Sequence, residues 1–493
     1  MSLTTKVGPR DGRLKSKGCL ACIRMKVKCD ENKPRCLRCQ RGHRACPGYR
    51  DQQTAVFRYE NRPERLGVWD TSSHSTSPAP LHSMSTDWLQ VAIVHFFHNF
   101  VIPSDGLFPG FMELLPRLFG MNPDSPYFNR SVEAISMATL AKTKHMDNEY
   151  INMARTAYGL ALQSLGSSLQ HEKDSPSAAV LATVDILWKY DMIMGEDNLT
   201  SKSPHRQGQL EFLKTRLSKE KPNDNDEWLD RSVRTGVVMQ RIILHPNENA
   251  AAAESTLLVG TSVLETPSSA LRDRLLPWAA SSGAQVSACL RNPLDMGPLM
   301  ACLESLQGLR RALQEWEDTL PVEWRPTVIP NPQIHTNSSV YLPACLAIFP
   351  NISVSSTWTS YYIAQLSVLK SIAAINSLDL VASISGLDPL DMQSSLVAVA
   401  DTICSTAPYM LGLVNSSGEM IVDGDTRCAK ALFVTRSLYL AVQVSGLPGP
   451  QVQWMLDTLE FIGHERGVGQ ALVVKQDLVV RRQLGILGLS HLS

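Results

Sequence analysis

The amino-acid sequence predicts a mainly α-helical protein, in which a small cysteine-rich domain, a flexible linker and a large all-α domain follow one another. Three observations support this prediction. Six of the eleven cysteines lie between residues 19 and 46, apolar residues recur at helical spacing from about residue 86 onward, and the two parts carry opposite charge. We place the domains at 1–18 (basic arm), 19–46 (cysteine-rich domain), 47–85 (linker) and 86–493 (helical domain).

The arm, residues 1–18, is basic and shows no apolar periodicity, so we expect it to be disordered. Together with Lys26 and Lys28 it is a candidate nuclear-import signal. It has no apolar stretch of the length that a secretory signal peptide needs, which disfavours an oxidising compartment.

The cysteines between residues 19 and 46 form two identical halves. The halves are Cys19-x2-Cys22-x6-Cys29 and Cys36-x2-Cys39-x6-Cys46. A two-residue spacer lets both thiolates of a pair turn towards one metal ion. Two tetrahedral zinc ions need eight ligand positions, and six cysteines supply them when two cysteines bridge both metals. The symmetric choice for the bridges is Cys19 and Cys36, so the sequence predicts a two-zinc cluster.

Six cysteines in a short segment have two other common uses. Three disulfides would suit a secreted protein, but the remaining five cysteines are scattered singly through apolar sequence, as in a reducing compartment. Iron–sulfur clusters take four cysteines each, which does not account for six thiols in two equal halves. Zinc is therefore the favoured interpretation.

Charge is divided unevenly along the chain. Residues 1–50 contain 14 Lys and Arg against 3 Asp and Glu, whereas residues 51–493 contain 33 basic and 44 acidic residues. The zero formal net charge of the whole chain is therefore a cancellation between two unlike parts. An excess of one sign on a small domain is typical of a domain that binds a polyanion such as nucleic acid.

The full cysteine pattern, together with Lys26-x-Lys28-Cys29-Asp30 and Lys33-Pro34-Arg35-Cys36, resembles the DNA-binding domain of the fungal zinc binuclear-cluster (Zn(2)-C6) transcription factors. The resemblance implies a short helix in each half, packed on the metals, and a partner that is double-stranded DNA. It implies that Lys26 reads a CGG triplet in the major groove, where guanine offers paired acceptors. The implied phosphate contacts are Arg24, Lys28, Arg38 and Arg41. Met25 departs from the family, because many relatives carry Lys or Arg there.

Ser, Thr and Pro dominate residues 71–85, which predicts a flexible linker. Many relatives have a dimerising coiled coil after the cluster, but residues 50–70 sustain no heptad and include Pro63. The sequence is therefore compatible with two oligomeric states: a monomer, or a homodimer or heterodimer formed through the helical domain.

Helical periodicity runs through the rest of the chain. Asp87 is predicted to cap a helix that ends before Pro103, and Ser175-Pro176 to open another. Further helices are predicted at 130–145, 147–170, 298–319, 355–378, 389–407, 427–444 and 450–463. Strand-like alternation is rare, and no uncharged apolar run reaches the length of a membrane span, so no membrane partner is expected. Five tryptophans are predicted core residues: Trp88, Trp188, Trp316, Trp358 and Trp454.

This second part resembles the helical regulatory domain that follows the cluster in many fungal factors, a group often found with secondary-metabolite genes. The matching stretches are LQEWEDTLP (313–321), ICSTAPYMLG (403–412) and IGHERGVGQA (462–471). In the family this domain serves regulation and interaction, so a small-molecule effector is a candidate partner of the helical domain.

No enzyme motif is evident in the helical part. Ser367-x-x-Lys370 is too short a pattern to indicate a nucleophile, and His95 with His98 lacks a third metal ligand nearby. The predicted function is a nuclear, sequence-specific regulator of RNA polymerase II genes, with a secondary-metabolite gene cluster as a candidate target. The alternative is a zinc-stabilised co-regulator or scaffold that binds DNA weakly.

Overall fold

The computed structural model divides into two compact units, Met1–Ser83 and Met84–Ser493, which are described separately. In the first unit the structure describes residues 19, 21–22, 25, 27–30, 32, 36–42 and 46. In the second it describes 87–102, 112–171, 177–196, 203–217, 227–244, 266–333, 341–421 and 427–485. The predicted arm and linker lie outside the described residues.

The described elements are mostly helices. The first unit contains α1 (Leu37–Arg41). The second begins with α2 (Trp88–Phe100), α3 (Leu115–Met121), α4 (Pro126–Thr143), α5 (Asn148–His171), α6 (Ala178–Met194), α7 (Pro204–Leu217) and α8 (Glu227–Leu244). It continues with α9 (Pro267–Ala270), a π-helical turn (Leu271–Leu275), α10 (Leu276–Leu290), α11 (Met296–Asp318), a 3-10 turn (Val322–Trp324), β1 (Thr327–Pro330) and β2 (Cys345–Ile348). The last helices are α12 (Ile352–Asn376), α13 (Asp379–Ser385), α14 (Pro389–Met410), α15 (Cys428–Ala441), α16 (Gly449–Glu465) and α17 (Gly469–Gln483). The mainly α fold class is confirmed.

The helices of the second unit surround one large apolar core. Helix α4 packs against α2, α5 and α6, while α12 packs against α10, α11, α14 and α15. Helix α6 is buried on all sides, which explains why its sequence is apolar almost throughout. Of its three buried charged residues, Lys189 and Asp185 form an ion pair, with Lys189 Nζ 2.5 Å from Asp185 Oδ2, while Asp191 Oδ2 lies 3.6 Å from His205 Nε2.

The strands form a two-stranded antiparallel hairpin in which Thr327 is opposite Ile348 and Pro330 is opposite Cys345. Its inner face packs Leu346 and Ile348 against Val414. The hairpin therefore covers one edge of the helical core and does not change the fold class.

Several predicted helix ends are confirmed. The Asp87 carboxylate accepts hydrogen bonds from the backbone N–H groups of Leu89 (3.1 Å) and Gln90 (3.3 Å) at the start of α2. The cap of α6 was predicted at the wrong serine. Its N-cap is Ser177, whose hydroxyl accepts from Val180 N–H at 3.3 Å, and Ser175 and Pro176 lie outside the described residues.

The tryptophan prediction is wrong for Trp88. This side chain is 41% exposed, because it lies in the first turn of α2 and makes an edge contact with Tyr150 rather than entering the core. Trp188, Trp316 and Trp358 are buried as predicted, whereas Trp454 is only half-buried.

Pro277 explains the π-helical turn between α9 and α10. A proline inside a helix has no N–H to donate and its ring clashes with the carbonyl four residues earlier, here that of Asp273. The helix widens by one residue instead of breaking, and the N–H of Leu276 bonds the carbonyl of Leu271. The widened turn presents Arg272 and Asp273 side by side.

The backbone at the end of α6 packs closely against the backbone at the start of α17, and a glycine lies on each side of this contact. Gly195 caps α6 with a left-handed backbone (φ 76°), and a Cβ placed on Gly469 would lie 2.7 Å from both Gly195 N and Ile193 O. Backbone meets backbone here, so neither position has room for a side chain.

Among the described helices, none alone is both long and apolar enough to cross a membrane. Helices α12 and α13 meet that requirement only together, and the chain bends by 107° between them.

Candidate metal centre and nucleic-acid interface

Four thiols meet in the first unit. Cys19, Cys22, Cys36 and Cys39 are buried, and their sulfurs lie within 4.8 Å of one another. Cys19 Sγ is 3.6 Å from Cys36 Sγ and 3.8 Å from Cys39 Sγ, and Cys22 Sγ is 3.8 Å from Cys36 Sγ. A disulfide would need sulfurs about 2.05 Å apart, so these thiols are not cross-linked to one another.

The sulfur spacing suits zinc. Four thiolates at about 2.3 Å from a tetrahedral zinc ion lie about 3.8 Å from one another. Cys29 extends the group, because its sulfur, a carboxylate oxygen of Asp30 and Cys36 Sγ are also within 4.8 Å of one another. Cys46 is half-buried and packs against the four buried cysteines. The donor set therefore fits the metal that the spacing predicts.

The two halves repeat the same local geometry. Cys22 N–H points at Cys19 Sγ (3.5 Å), and Cys39 N–H points at Cys36 Sγ (3.3 Å). Cys36 is the N-cap of α1, so its thiol occupies the place where helices favour an acceptor. The first cysteine of each half thus lies at the centre of the cluster, in contact with thiols of both halves.

The electrostatics of the cluster also favour a cation. Burial raises the pKa of the Cys22 thiol to about 12, and its hydrogen bond with Cys19 adds to the rise. Burial likewise raises the pKa of Cys36. A thiol in such surroundings becomes a thiolate ligand only when a metal ion replaces its proton.

Asp30, which the sequence marks only as part of the family motif, has a structural role beside the cluster. Its carboxylate accepts hydrogen bonds from the backbone N–H groups of Arg38 (2.8 Å), Leu37 (3.1 Å) and Asn32 (3.3 Å). Burial acts to raise the pKa of Asp30, but these three hydrogen bonds and the charge of Arg41 outweigh it and lower the pKa. Asp30 therefore holds the loop after Cys29 against the N-terminus of α1, and its oxygens are occupied by the backbone rather than offered to a metal.

Three of the predicted DNA contacts lie among the described residues. Lys28, Arg38 and Arg41 are exposed. The Arg38 guanidinium donates to the Lys28 carbonyl oxygen at 3.3 Å, which ties α1 to the first half of the cluster. Lys26 and Arg24 lie outside the described residues. Met25 is 40% exposed in the turn between them.

The side chains of the two weak motifs in the helical unit have the following partners among the described residues. His95 Nε2 lies 2.8 Å from Thr143 Oγ1, while His98 is exposed. Ser367 Oγ donates to the Ile242 carbonyl (3.4 Å), and Lys370 Nζ to Gln443 Oε1 (3.3 Å), so these two side chains have separate partners.

Comparison with known proteins identifies the N-terminal segment. Residues 17–55 match the fungal Zn(2)-Cys(6) binuclear cluster domain. White-opaque regulator 2 of Candida albicans is 42% identical over 53 residues, which are 11% of this chain and 12% of that protein. Transcription factor dbaG of Emericella nidulans is 21% identical over 408 residues, which are 78% of this chain and 90% of that protein. No solved structure matches the chain.

The match over residues 17–55 confirms the resemblance predicted for the cysteine-rich segment, a domain in which six cysteines bind two zinc ions. The first relative is similar over a short segment, whereas the second is similar over most of the chain.

Proposed function

We propose that this chain, whose residues 17–55 belong to the fungal Zn(2)-Cys(6) binuclear cluster domain family, is a nuclear transcription regulator that reads CGG-type half-sites in DNA. Its targets are RNA polymerase II genes, with a secondary-metabolite gene cluster as the candidate pathway. The observation that carries the proposal is the packed group of thiols beside exposed basic side chains.

The cluster supplies structure rather than chemistry. Six thiolates hold two zinc ions, and the ions cross-link two halves that bury too little apolar surface to fold alone. Cys19 and Cys36 are assigned as the bridging ligands. The 3.6 Å between their sulfurs, and the contact that each makes with a thiol of the other half, support this assignment.

The basic residues divide into one base reader and several phosphate contacts. Lys26 is assigned to guanine, because a lysine can donate to the O6 and N7 acceptors that guanine presents in the major groove. Arg24, Lys28, Arg38 and Arg41 are assigned to phosphates. The exposure of Lys28, Arg38 and Arg41 supports this, and Arg38 is also held in place by its bond to Lys28.

A salt titration with a CGG-containing duplex and a scrambled duplex tests the proposal. Four phosphate contacts give a slope of log K against log salt of about −3 to −4. Lys26→Ala is expected to remove the preference for CGG without releasing zinc. The matched variant Lys28→Ala should keep that preference and reduce the slope by about 1.

Equal binding of the two duplexes by the wild-type protein, with zinc fully bound, contradicts the proposal. That result would favour the second candidate, a zinc-stabilised co-regulator or scaffold with weak DNA binding. The exposed Met25 is the observation behind this alternative, because an apolar side chain stands where the family often has a cation.

The helical unit is proposed to regulate the cluster through protein contacts or an effector. Either a homodimer or a heterodimer formed through this unit would place two clusters on two half-sites. The second relative, similar over 78% of this chain, supports a regulatory protein that includes the helical unit.

A further inference from the structure

The first helix of the second unit, α2, carries a row of exposed apolar side chains. Trp88 is 41% exposed, Val91 39% and Val94 68%, whereas Phe96 and Phe100 of the same helix are fully buried. Single apolar residues at a surface are ordinary, but a row along one helix indicates an interaction surface. Valine is also a poor helix former, so α2 itself gains nothing from valines at exposed positions.

The two valines belong to a seam with the spacing of a coiled coil. Its members follow one another at intervals of four, three and four residues, and all are exposed: Asp87, Val91, Val94 and His98. This alternation is the a/d pattern that keeps one face of a helix against a second helix. Trp88 lies beside the first member. The 13 residues of α2 therefore present a helix-binding face about 20 Å long.

The two ends of the seam carry complementary groups. In an antiparallel pair of α2 helices, Val91 lies opposite Val94 of the partner subunit. The same register places Asp87 opposite His98 of the partner subunit. Both cap bonds of α2 go to Asp87 Oδ1, so Oδ2 can accept a hydrogen bond from an imidazole N–H. A parallel pair would instead bring two Asp87 carboxylates together, where like charges repel. The seam is thus complementary to itself when the helices run in opposite directions.

A second copy of the chain fits this face better than a membrane does. Helices that lie on a membrane surface are rich in Lys and Arg, and α2 contains neither. A twofold pair also uses the same surface on both copies, so one contact covers both seams.

We infer that two copies of this chain form a homodimer through an antiparallel pair of α2 helices, with Val91 and Val94 at its centre. One pair of helices about 20 Å long buries much less than the roughly 1,600 Å² of a standard interface, so the dimer is weak, with a dissociation constant on the order of 10 µM.

The position of α2 in the chain connects this surface to DNA binding. Residues 47–85 lead from the cysteine-rich segment to α2, so two half-sites on one duplex would raise the effective concentration of one copy near the other. This use of the dimer rests on the proposed function, but the self-association does not.

Sedimentation equilibrium of the zinc-loaded full-length protein without DNA tests the inference. The mass of the wild-type protein should rise from that of a monomer towards that of a dimer between about 1 and 100 µM. Val94→Glu places a carboxylate in the seam of both copies and should weaken the dimer about tenfold or more. Leu390→Glu, which changes an apolar side chain that is 75% exposed in the first turn of α14, is the matched control and should dimerise like the wild-type protein.

His98→Lys tests the direction of the helices. In an antiparallel dimer each lysine meets Asp87 of the partner subunit, so the dimer should tighten about twofold or more. In a parallel dimer the two lysines would face each other and weaken it.

Wild-type protein that stays monomeric at about 100 µM overturns the inference, and so does a dimer that Val94→Glu leaves unchanged. The first result would mean that another segment or a different protein covers α2, and the second that the two copies meet elsewhere. A weaker dimer in His98→Lys overturns the antiparallel direction.

Duplex binding separates this inference from the proposed function. Val94→Glu should bind a duplex with one CGG as tightly as the wild-type protein does, and it should lose the gain in affinity that a second CGG gives. Equal binding of CGG and scrambled duplexes by both proteins speaks against the function, whereas equal sedimentation of both proteins speaks against the α2 dimer.

Discussion

At the scale of single residues, the position of Asp30 shows how a metal cluster depends on groups that bind no metal. Three backbone N–H groups bond to its carboxylate, and two of them belong to the first turn of α1. That turn follows Cys36 directly, so Asp30 fixes the direction in which this thiol points.

Asp30→Ala is expected to weaken zinc binding by the full chain about tenfold or more, the usual effect of removing a group that orients a ligand. Competition with a zinc chelator of known affinity measures the change. Gln40→Ala, an exposed substitution on the same helix, is the control and should leave zinc affinity unchanged. Equal zinc affinities of the two variants would mean that Asp30 does not orient the Cys36 thiol.

The lowered pKa of His95 should make the stability of the helical unit depend on pH. Burial lowers its pKa from 6.5 to about 4, with the charges of Lys144 and His98 adding to the effect. The folded protein therefore holds His95 neutral where the unfolded chain would protonate it. The stability that depends on neutral His95 is present above pH 6.5 and is lost as the pH falls towards 4.

The difference in Tm between wild-type protein and His95→Gln should accordingly shrink as the pH is lowered from 7 to about 4. His98→Gln replaces an exposed histidine on the same helix and serves as the control. A difference that is constant over this range would show that His95 is not protonated on unfolding.

At the scale of elements, the sequence predicts helix ends that a local signal marks, but it does not predict contacts between segments that are far apart in the chain. Asp87 was predicted as the cap of α2 because a carboxylate before an apolar repeat is a local signal. Helices α7, α8, α10 and α17 are among those that were not predicted, although Leu229, Val233 and Val237 of α8 do recur at helical spacing. The buried ion pair of Arg216 with Asp230 joins α7 to α8, and no pattern in either segment indicates that these two charges meet.

The same limit applies to the metal centre. Spacing and count alone predicted six cysteine ligands for two zinc ions, because two tetrahedral ions need eight ligand positions. The choice of Cys19 and Cys36 as the bridges rests on symmetry and stays a prediction. The role of Asp30 could not be predicted in this way, since it depends on the fold of the loop between the halves.

The contact between Gly195 and Gly469 gives a prediction for a pair of elements. Gly469→Ala should cost about 1–3 kcal/mol of unfolding free energy, because its Cβ would meet backbone atoms that cannot move aside. Gly449→Ala is a matched control, since Gly449 also begins a helix but has no atom within 4 Å of the added Cβ. Denaturant unfolding of both variants measures the difference. A Gly469→Ala protein as stable as the control would contradict the close approach.

At the scale of the whole molecule, the chain combines two units that are stabilised by different forces. Zinc–thiolate bonds hold the first, and a large apolar core holds the second. Loss of metal should therefore unfold one unit and leave the other intact.

Exhaustive chelation is expected to abolish DNA binding while the near-ultraviolet circular dichroism of tryptophan stays unchanged. No tryptophan lies in residues 17–55, the segment that matches the cluster domain, whereas Trp188, Trp316 and Trp358 are buried in the helical core. Re-addition of zinc should restore binding. DNA binding that survives complete removal of zinc would contradict the dependence of the first unit on metal.

The junction of Gly195 with Gly469 also sets an order of events during synthesis. Helix α6 is completed well before the ribosome reaches α17, which must dock against its end. At about 5–20 residues per second, the interval is on the order of tens of seconds. Throughout that time the nascent chain exposes part of the apolar surface of α6, because α17, which packs against it, has not yet been made.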